Sequence, residues 1–190
     1  MIIWIASYPK SGNTWIRSLL AAHFFSNDGI FNFKLLKKIE QFSPNIDDSI
    51  LSKNIHYQSK VSKNWIPSQK KINKDKKIHF FKTHNAMCAI NGNNFTDKFN
   101  TTAAIYIVRD PRSLITSLSN HYEIDNEKSL KFLTNKRKII FPVKDSNEKV
   151  STEEDFNFLS DWGTHYLSWK NIGFCPIKII KYEDMLTDTK

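Results

Sequence analysis

The first twenty-five residues narrow the possible folds more than any other stretch of the chain. Ile2, Ile3, Trp4, Ile5, Ala6 and Ser7 make a short apolar run ended by Tyr8-Pro9, which suits a buried strand and is too short for a helix. Between residues 14 and 25, apolar side chains recur at Trp15, Ile16, Leu19, Leu20 and Ala22 with helical spacing. The connection is Lys10-Ser11-Gly12-Asn13-Thr14, with a glycine where the backbone must come close. Unpaired N–H groups at the start of such a helix, helped by its dipole, can cradle a phosphate while Lys10 supplies a full charge. A plain tight turn with Thr14 as N-cap is the alternative. The lysine precedes the glycine, so this is not the G-x-x-x-x-G-K-[ST] loop of a nucleoside triphosphatase. A phosphate-like ligand fits better than MgATP.

The strand and helix signals then alternate. Ile78 to Thr83 reads as a second strand, and Thr101 to Val108, β-branched and aromatic, as a third. Pro111 stands where it can open a helix continued by Leu114, Ile115, Leu118 and Tyr122. Further helices are expected over residues 34–42, closed by Ser43-Pro44, and over residues 153–169; a fourth short strand is expected at residues 177–180. Alternation of this kind predicts an α/β fold, a parallel sheet flanked by helices. No internal repeat or domain boundary is visible, so residues 1–190 read as one domain. With 40% hydrophobic, 13% aromatic and 25% charged residues, the chain has the composition of a globular protein and not of a disordered one.

Two cysteines, Cys88 and Cys175, lack C-x-x-C or zinc-type spacing and read as structural residues of a protein in a reducing compartment. The apolar start is too short for a signal-peptide core, and no run approaches a membrane span. These features predict a cytoplasmic protein that binds no metal and enters no membrane. The net charge of +9 invites a nucleic-acid reading. Residues 52–77, however, hold eight lysines against one aspartate, mixed with Asn, Ser and Gln, and lack the interleaved aromatics of a nucleic-acid site. That stretch reads as a solvated surface segment, and no nucleic-acid partner is expected.

In a parallel α/β sheet, ligands gather beyond the carboxyl ends of the strands. The residues just past each predicted strand are mostly cationic: Lys10 after the first, Lys82-Thr83-His84 at the second, Arg109 after the third. Three basic exits on one edge describe an anion site.

Tyr8-Pro9-Lys10-Ser11-Gly12-Asn13-Thr14-Trp15 resembles the 5′-phosphosulfate-binding loop of the sulfotransferases that use 3′-phosphoadenosine 5′-phosphosulfate (PAPS). Ile105 to Arg112 and on to Ser117 resembles the family's 3′-phosphate motif, an arginine ending a strand with a serine eight residues on. Lys82-Thr83-His84 is similar to the segment carrying the family's catalytic base. Tyr182-Glu183-Asp184 resembles a fourth motif, and Trp162-Gly163-Thr164-His165-Tyr166 through Trp169 looks, more loosely, like the segment before it. All occur in family order; residues 27–77 carry none of them.

The resemblance implies a P-loop-type fold and a sulfotransferase moving a sulfuryl group from PAPS to a hydroxyl or amine of a small-molecule acceptor. It implies that Ser11, Gly12, Asn13 and Thr14, with Lys10, hold the 5′-phosphosulfate, that Arg109 and Ser117 hold the 3′-phosphate, and that Trp15 and Tyr182 flank the adenine. His84 is the expected general base, because an imidazole accepts a proton near neutrality. Lys10 and Lys82 are expected to stabilise the leaving oxygen and the sulfuryl oxygens. His23, His56, His79, His121 and His165 show no convergent partner in the sequence and read as structural or exposed. Two alternatives stand beside this reading: a nucleotide-binding homologue with little or no turnover, and a P-loop kinase, which should show a lysine after the glycine and a set of metal-binding acids, neither of which the motifs place. The family's C-terminal arginine-lysine-glycine motif has no counterpart after Asp184. The resemblance therefore implies a C-terminally incomplete domain.

Overall fold

A computed structural model describes residues 1–44, 56–140 and 156–187. Strand β1 (Ile2–Ser7) has five of its six residues buried, as its unbroken apolar run requires. It feeds helix α1 (Asn13–Phe25) through the glycine loop. A short 3₁₀ helix (Phe33–Lys38), helix α2 (His56–Ile72) and strand β2 (His79–Thr83) follow. After a small antiparallel pair, β3 (Ala89–Ile90) with β4 (Asn93–Asn94), come strand β5 (Thr101–Val108) and helices α3 (Pro111–Tyr122) and α4 (Asn126–Thr134). A second antiparallel pair, β6 (Ile139–Ile140) with β7 (Asn157–Phe158), leads to α5 (Trp162–Lys170), β8 (Ile177–Lys181) and α6 (Tyr182–Thr187).

β2, β1, β5 and β8 form one parallel sheet in that order, and period-2 alternation sends each strand's side chains to two separate cores. Trp4, Ala6, Ala104, Tyr106 and Ile179 point into one, where they meet Trp65 of α2 and Trp169 of α5. Ile5, Ile107 and Ile180 point into the other, against Ile16 and Ala21 of α1 and Met185 of α6. A third cluster, Tyr8, Leu114, Leu118, Phe132 and Leu133, fastens α3 and α4 beside the loop. The α/β architecture is the one expected. Among the described residues no helix is long and apolar enough to cross a membrane.

Two local expectations fail, each to a tertiary contact. Residues 34–42 do not make an α-helix: the 3₁₀ turn stops at Lys38, Arg17 Nε donates to Ile39 O at 2.9 Å, and the chain extends so that Phe42 N donates to Lys82 O and Lys82 N to Glu40 O, each at 2.8 Å. Pairing with the edge of β2 wins over helical spacing. Of residues 153–169, only α5 is helical; Asp161 caps it by accepting from Thr164 N at 2.9 Å, while Asn157–Phe158 pairs with β6, and residues 153–155 lie outside the described residues.

The lysine-rich stretch is also more than a solvated surface. Residues 52–55 lie outside the described residues; residues 56–72 are helix α2, with Val61, Ser62, Trp65, Ser68 and Gln69 buried while Lys60, Lys63, Lys70 and Lys71, and beyond the helix Lys74, Lys76 and Lys77, face water. Three of the buried positions are polar, which hides the helical stripe from a hydrophobicity reading; Gln69 Nε2 donates to Phe95 O at 2.6 Å. Trp65 is fully buried, and truncation of such a side chain to alanine costs about 3–5 kcal/mol.

Candidate active site

The four strands of the sheet end in register: Ala6 pairs with Thr83 and Tyr106, and Val108 with Lys181. One edge of the sheet therefore carries, immediately past the strands, the loop from Tyr8 to Gly12, His84, Arg109 and Tyr182.

The loop leaves several donors without partners among the described residues. Lys10 (φ 65°) and Gly12 (φ 93°) both take left-handed backbone conformations, uncommon for a lysine and natural for a glycine. Gly12 is the N-cap of α1, no side chain caps that end, and no acid occupies its first turn. The amides of Asn13 and Thr14 therefore open a helix whose dipole no capping side chain or first-turn acid among the described residues neutralises. Ser11 Oγ and Arg109 Nε are buried donors without a hydrogen-bond partner among the described residues, where a buried polar group ordinarily has one. Oxygens of a phosphate or sulfate group would satisfy both.

Arg109 is locked against this loop. Its Nη1 donates to Lys10 O at 3.0 Å and its guanidinium carbon lies 4.2 Å from the centre of the Tyr182 ring. Tyr182 in turn meets Trp15 edge-to-face at 5.9 Å between centroids. A Cβ placed on Gly12 would sit 2.4 Å from Tyr182 Cδ2, so glycine is required here by close approach as well as by φ. The middle residue of the Tyr-Glu-Asp segment ties the exit of β8 to the exit of β5, because Glu183 Oε1 accepts from Asp110 N at 3.0 Å. Asp110 also caps α3, accepting from Arg112 N at 2.8 Å, with Pro111 in the first turn.

His84 is fixed from the opposite side. Its Nδ1 lies 2.7 Å from Ser7 O. A carbonyl oxygen only accepts, so Nδ1 carries the proton and the neutral ring presents the lone pair of Nε2. Burial, and after it the positive charge of Lys82, holds the imidazole well below the ordinary histidine range, against the opposing pull of the Ser7 carbonyl. The ring is therefore neutral at pH 7. Asn13 Nδ2 donates to Ile5 O at 3.0 Å and to Ser7 Oγ at 3.1 Å, bracing the end of β1 on which both the loop and His84 rest.

Of the residues singled out in the sequence, Lys10, Ser11, Gly12, Asn13, Thr14, Trp15, Arg109 and Tyr182 thus form one connected group, and His84 and Lys82 join it through Ser7 and the β1–β2 pairing. Ser117 lies half-buried on α3, with no hydrogen bond to Arg109 or the loop among the described residues. Sequence reasoning missed Glu183, the side chain of Asn13, and His165. The last does have a convergent partner: it is fully buried and lies within hydrogen-bond reach of His84. Its place in a motif-like segment was the available signal.

A sulfotransferase domain matches residues 2–190. Among solved structures, mouse sulfotransferase SULT7A1 complexed with PAP is similar over 99% of this chain and 53% of its own, with 21% identity and a TM-score of 0.53. Retinol dehydratase in complex with androsterone and inactive cofactor PAP is similar over 99% of this chain and 56% of its own, with 14% identity and a TM-score of 0.52. The chain thus spans about half the length of each. No curated protein sequence matches it. The fold likeness and the match along the chain agree, and this chain belongs to the sulfotransferase domain family.

Proposed function

We propose that this protein is a PAPS-dependent sulfotransferase acting on a hydroxyl or amine of a small-molecule acceptor. One observation carries the reading: the candidate base and the candidate phosphate-binding arginine are both hydrogen-bonded to carbonyls of the same short stretch, His84 Nδ1 to Ser7 O at 2.7 Å and Arg109 Nη1 to Lys10 O at 3.0 Å. That stretch runs into a helix N-terminus suited to an anion.

The 5′-phosphosulfate would lie on the amides of residues 11–14, satisfying Ser11 Oγ, and the 3′-phosphate would meet Arg109 and Ser117, with Trp15 and Tyr182 at the adenine. His84 Nε2 takes the acceptor's proton as the acceptor atom bonds to sulfur. The bond from sulfur to the 5′-phosphate oxygen breaks, and that oxygen leaves with the electron pair. Lys10 stabilises the negative charge developing there, and Lys82 that on the sulfuryl oxygens. The same Lys82 charge depresses the basicity of His84, keeping the base unprotonated at pH 7.

The test is an acceptor screen with labelled PAPS. Wild-type protein is expected to transfer label, and His84→Ala to lose turnover while its affinity for the product nucleotide, 3′-phosphoadenosine 5′-phosphate (PAP), stays within a few-fold. Transfer surviving in His84→Ala would remove the base assignment. Tight PAP binding with no transfer to any acceptor would favour a nucleotide-binding homologue.

A further inference from the structure

His165 is fully buried on α5 and stands in a directed chain of hydrogen bonds. Its Nε2 lies 3.0 Å from the backbone oxygen of His84, and its Nδ1 lies 2.8 Å from the hydroxyl of Tyr106. The His84 carbonyl can only accept, so Nε2 of His165 carries a proton. Nδ1 of the neutral ring is then an acceptor, and the Tyr106 hydroxyl donates to it. Burial holds the His165 pKa down to about 4, so the ring is neutral at pH 7. The links form one chain: the His84 carbonyl sets the tautomer of His165, Tyr106 donates to the Nδ1 lone pair that this leaves, and Ser7 O holds the His84 ring at Nδ1. His84 is thereby pinned at its backbone and at its ring.

We propose that His165, braced at Nδ1 by Tyr106, is a positioning residue for His84, fixing the direction in which the Nε2 lone pair of His84 faces the acceptor; this rests on the reading of His84 as the base. Other bonds secure the surrounding segment: Asn157 Oδ1 accepts from His84 N at 3.3 Å, and Trp169 Nε1 donates to Asn85 O at 2.9 Å. His165 alone among these holds the carbonyl of the base itself. Without Tyr106 the buried Nδ1 lone pair of His165 loses its partner, which loosens the ring that holds the His84 carbonyl.

Three variants test this: Tyr106→Phe, His165→Leu and His165→Gln, the last of which retains an N–H donor at the distance of Nε2. Small misplacements of a reacting group cost about 10- to 100-fold in rate, so Tyr106→Phe and His165→Leu should lower kcat by that factor with PAP affinity within a few-fold. His165→Gln should recover most of the loss, and in a His84→Ala background neither substitution should lower residual transfer further. Equal losses in the Gln and Leu variants, or kcat and PAP affinity falling together, would overturn the proposal. Long-range ¹H–¹⁵N spectra of the histidine rings provide a readout independent of turnover. They should show His84 protonated at Nδ1 and His165 at Nε2, with the His84 ring resonances displaced in His165→Leu as the ring shifts against Ser7 O. An unchanged His84 spectrum in that variant would overturn the proposal even for a wild-type protein that transfers no sulfuryl group, an outcome that would itself count only against the sulfotransferase reading.

Discussion

Gly12→Ala is a one-methyl change that acts on the centre of the site. The new Cβ would fall 2.4 Å from Tyr182 Cδ2 and 2.8 Å from Cε2, at a residue whose φ is 93°. Left-handed backbone costs an alanine roughly 1–2 kcal/mol. The ring of Tyr182 must also move, weakening its contact with Arg109 at 4.2 Å, of a kind worth about 0.5–2 kcal/mol, and its edge-to-face contact with Trp15, worth about 0.5–1.5 kcal/mol. The expected loss is about 2–4 kcal/mol, which for a chain of this size lowers the melting temperature by about 5–15 °C. Calorimetry and PAP titration on the same samples measure both consequences, since a displaced Tyr182 also releases Arg109. Because the clash needs the ring, Tyr182→Ala should cost less in the Gly12→Ala protein than in wild type. Gly12→Ala melting within a degree of wild type, with PAP affinity intact, would refute the packing described here.

Two neighbouring arginines should behave oppositely. Arg109→Ala removes a half-buried cation that bonds Lys10 O and should weaken PAP binding by at least about tenfold, given 1.5–3 kcal/mol for a charge-assisted bond. Arg112, paired with Asp110 but almost fully exposed, should be replaceable by alanine with little change in PAP titrations or melting temperature. Acid stability follows from His165: the folded protein holds its pKa at about 4, whereas the unfolded chain protonates near 6.5. The stabilisation is present above about pH 6.5 and is lost as pH falls toward 4, by an amount on the order of 3 kcal/mol, with His84 acting in the same direction. A series of melts from pH 7 to 4.5 should therefore slope less steeply in His165→Gln than in wild type; parallel slopes would contradict it. Since His84 must be neutral to act, the acid limb of kcat/KM should lie well below pH 6.5, and a limb at or above that value would argue against a base whose charged form is disfavoured by its surroundings.

Much of the sheet was legible in the sequence because its strands are read by local rules. β1 is an apolar run stopped by Tyr-Pro, and β5 is β-branched up to Val108 with Pro111 opening the helix after it. Their basic exits therefore fall together on one edge of the sheet. The segments whose structure depends on distant partners were not legible. Residues 39–42 extend because β2 offers an edge to pair with, and α2 buries Ser62 and Gln69 against polar partners that a hydrophobicity pattern does not register. In the site, Lys10, Gly12, His84 and Arg109 carry type-specific chemistry and stood out. Glu183 and His165 act by bonding backbone atoms of residues 73 and 81 positions away, and only the folded chain brings those pairs together.

The central claim is that the loop and Arg109 are built for a nucleotide carrying a 3′-phosphate, and titration calorimetry of this chain with PAP and with 5′-AMP tests it most directly. The two ligands differ only by the group that Arg109 and Ser117 are proposed to hold. PAP should bind at least about tenfold more tightly, a margin of roughly 1.4 kcal/mol or more that is consistent with one charge-assisted hydrogen bond. That margin should vanish in Arg109→Ala. Equal affinity of wild-type protein for PAP and 5′-AMP would contradict the account.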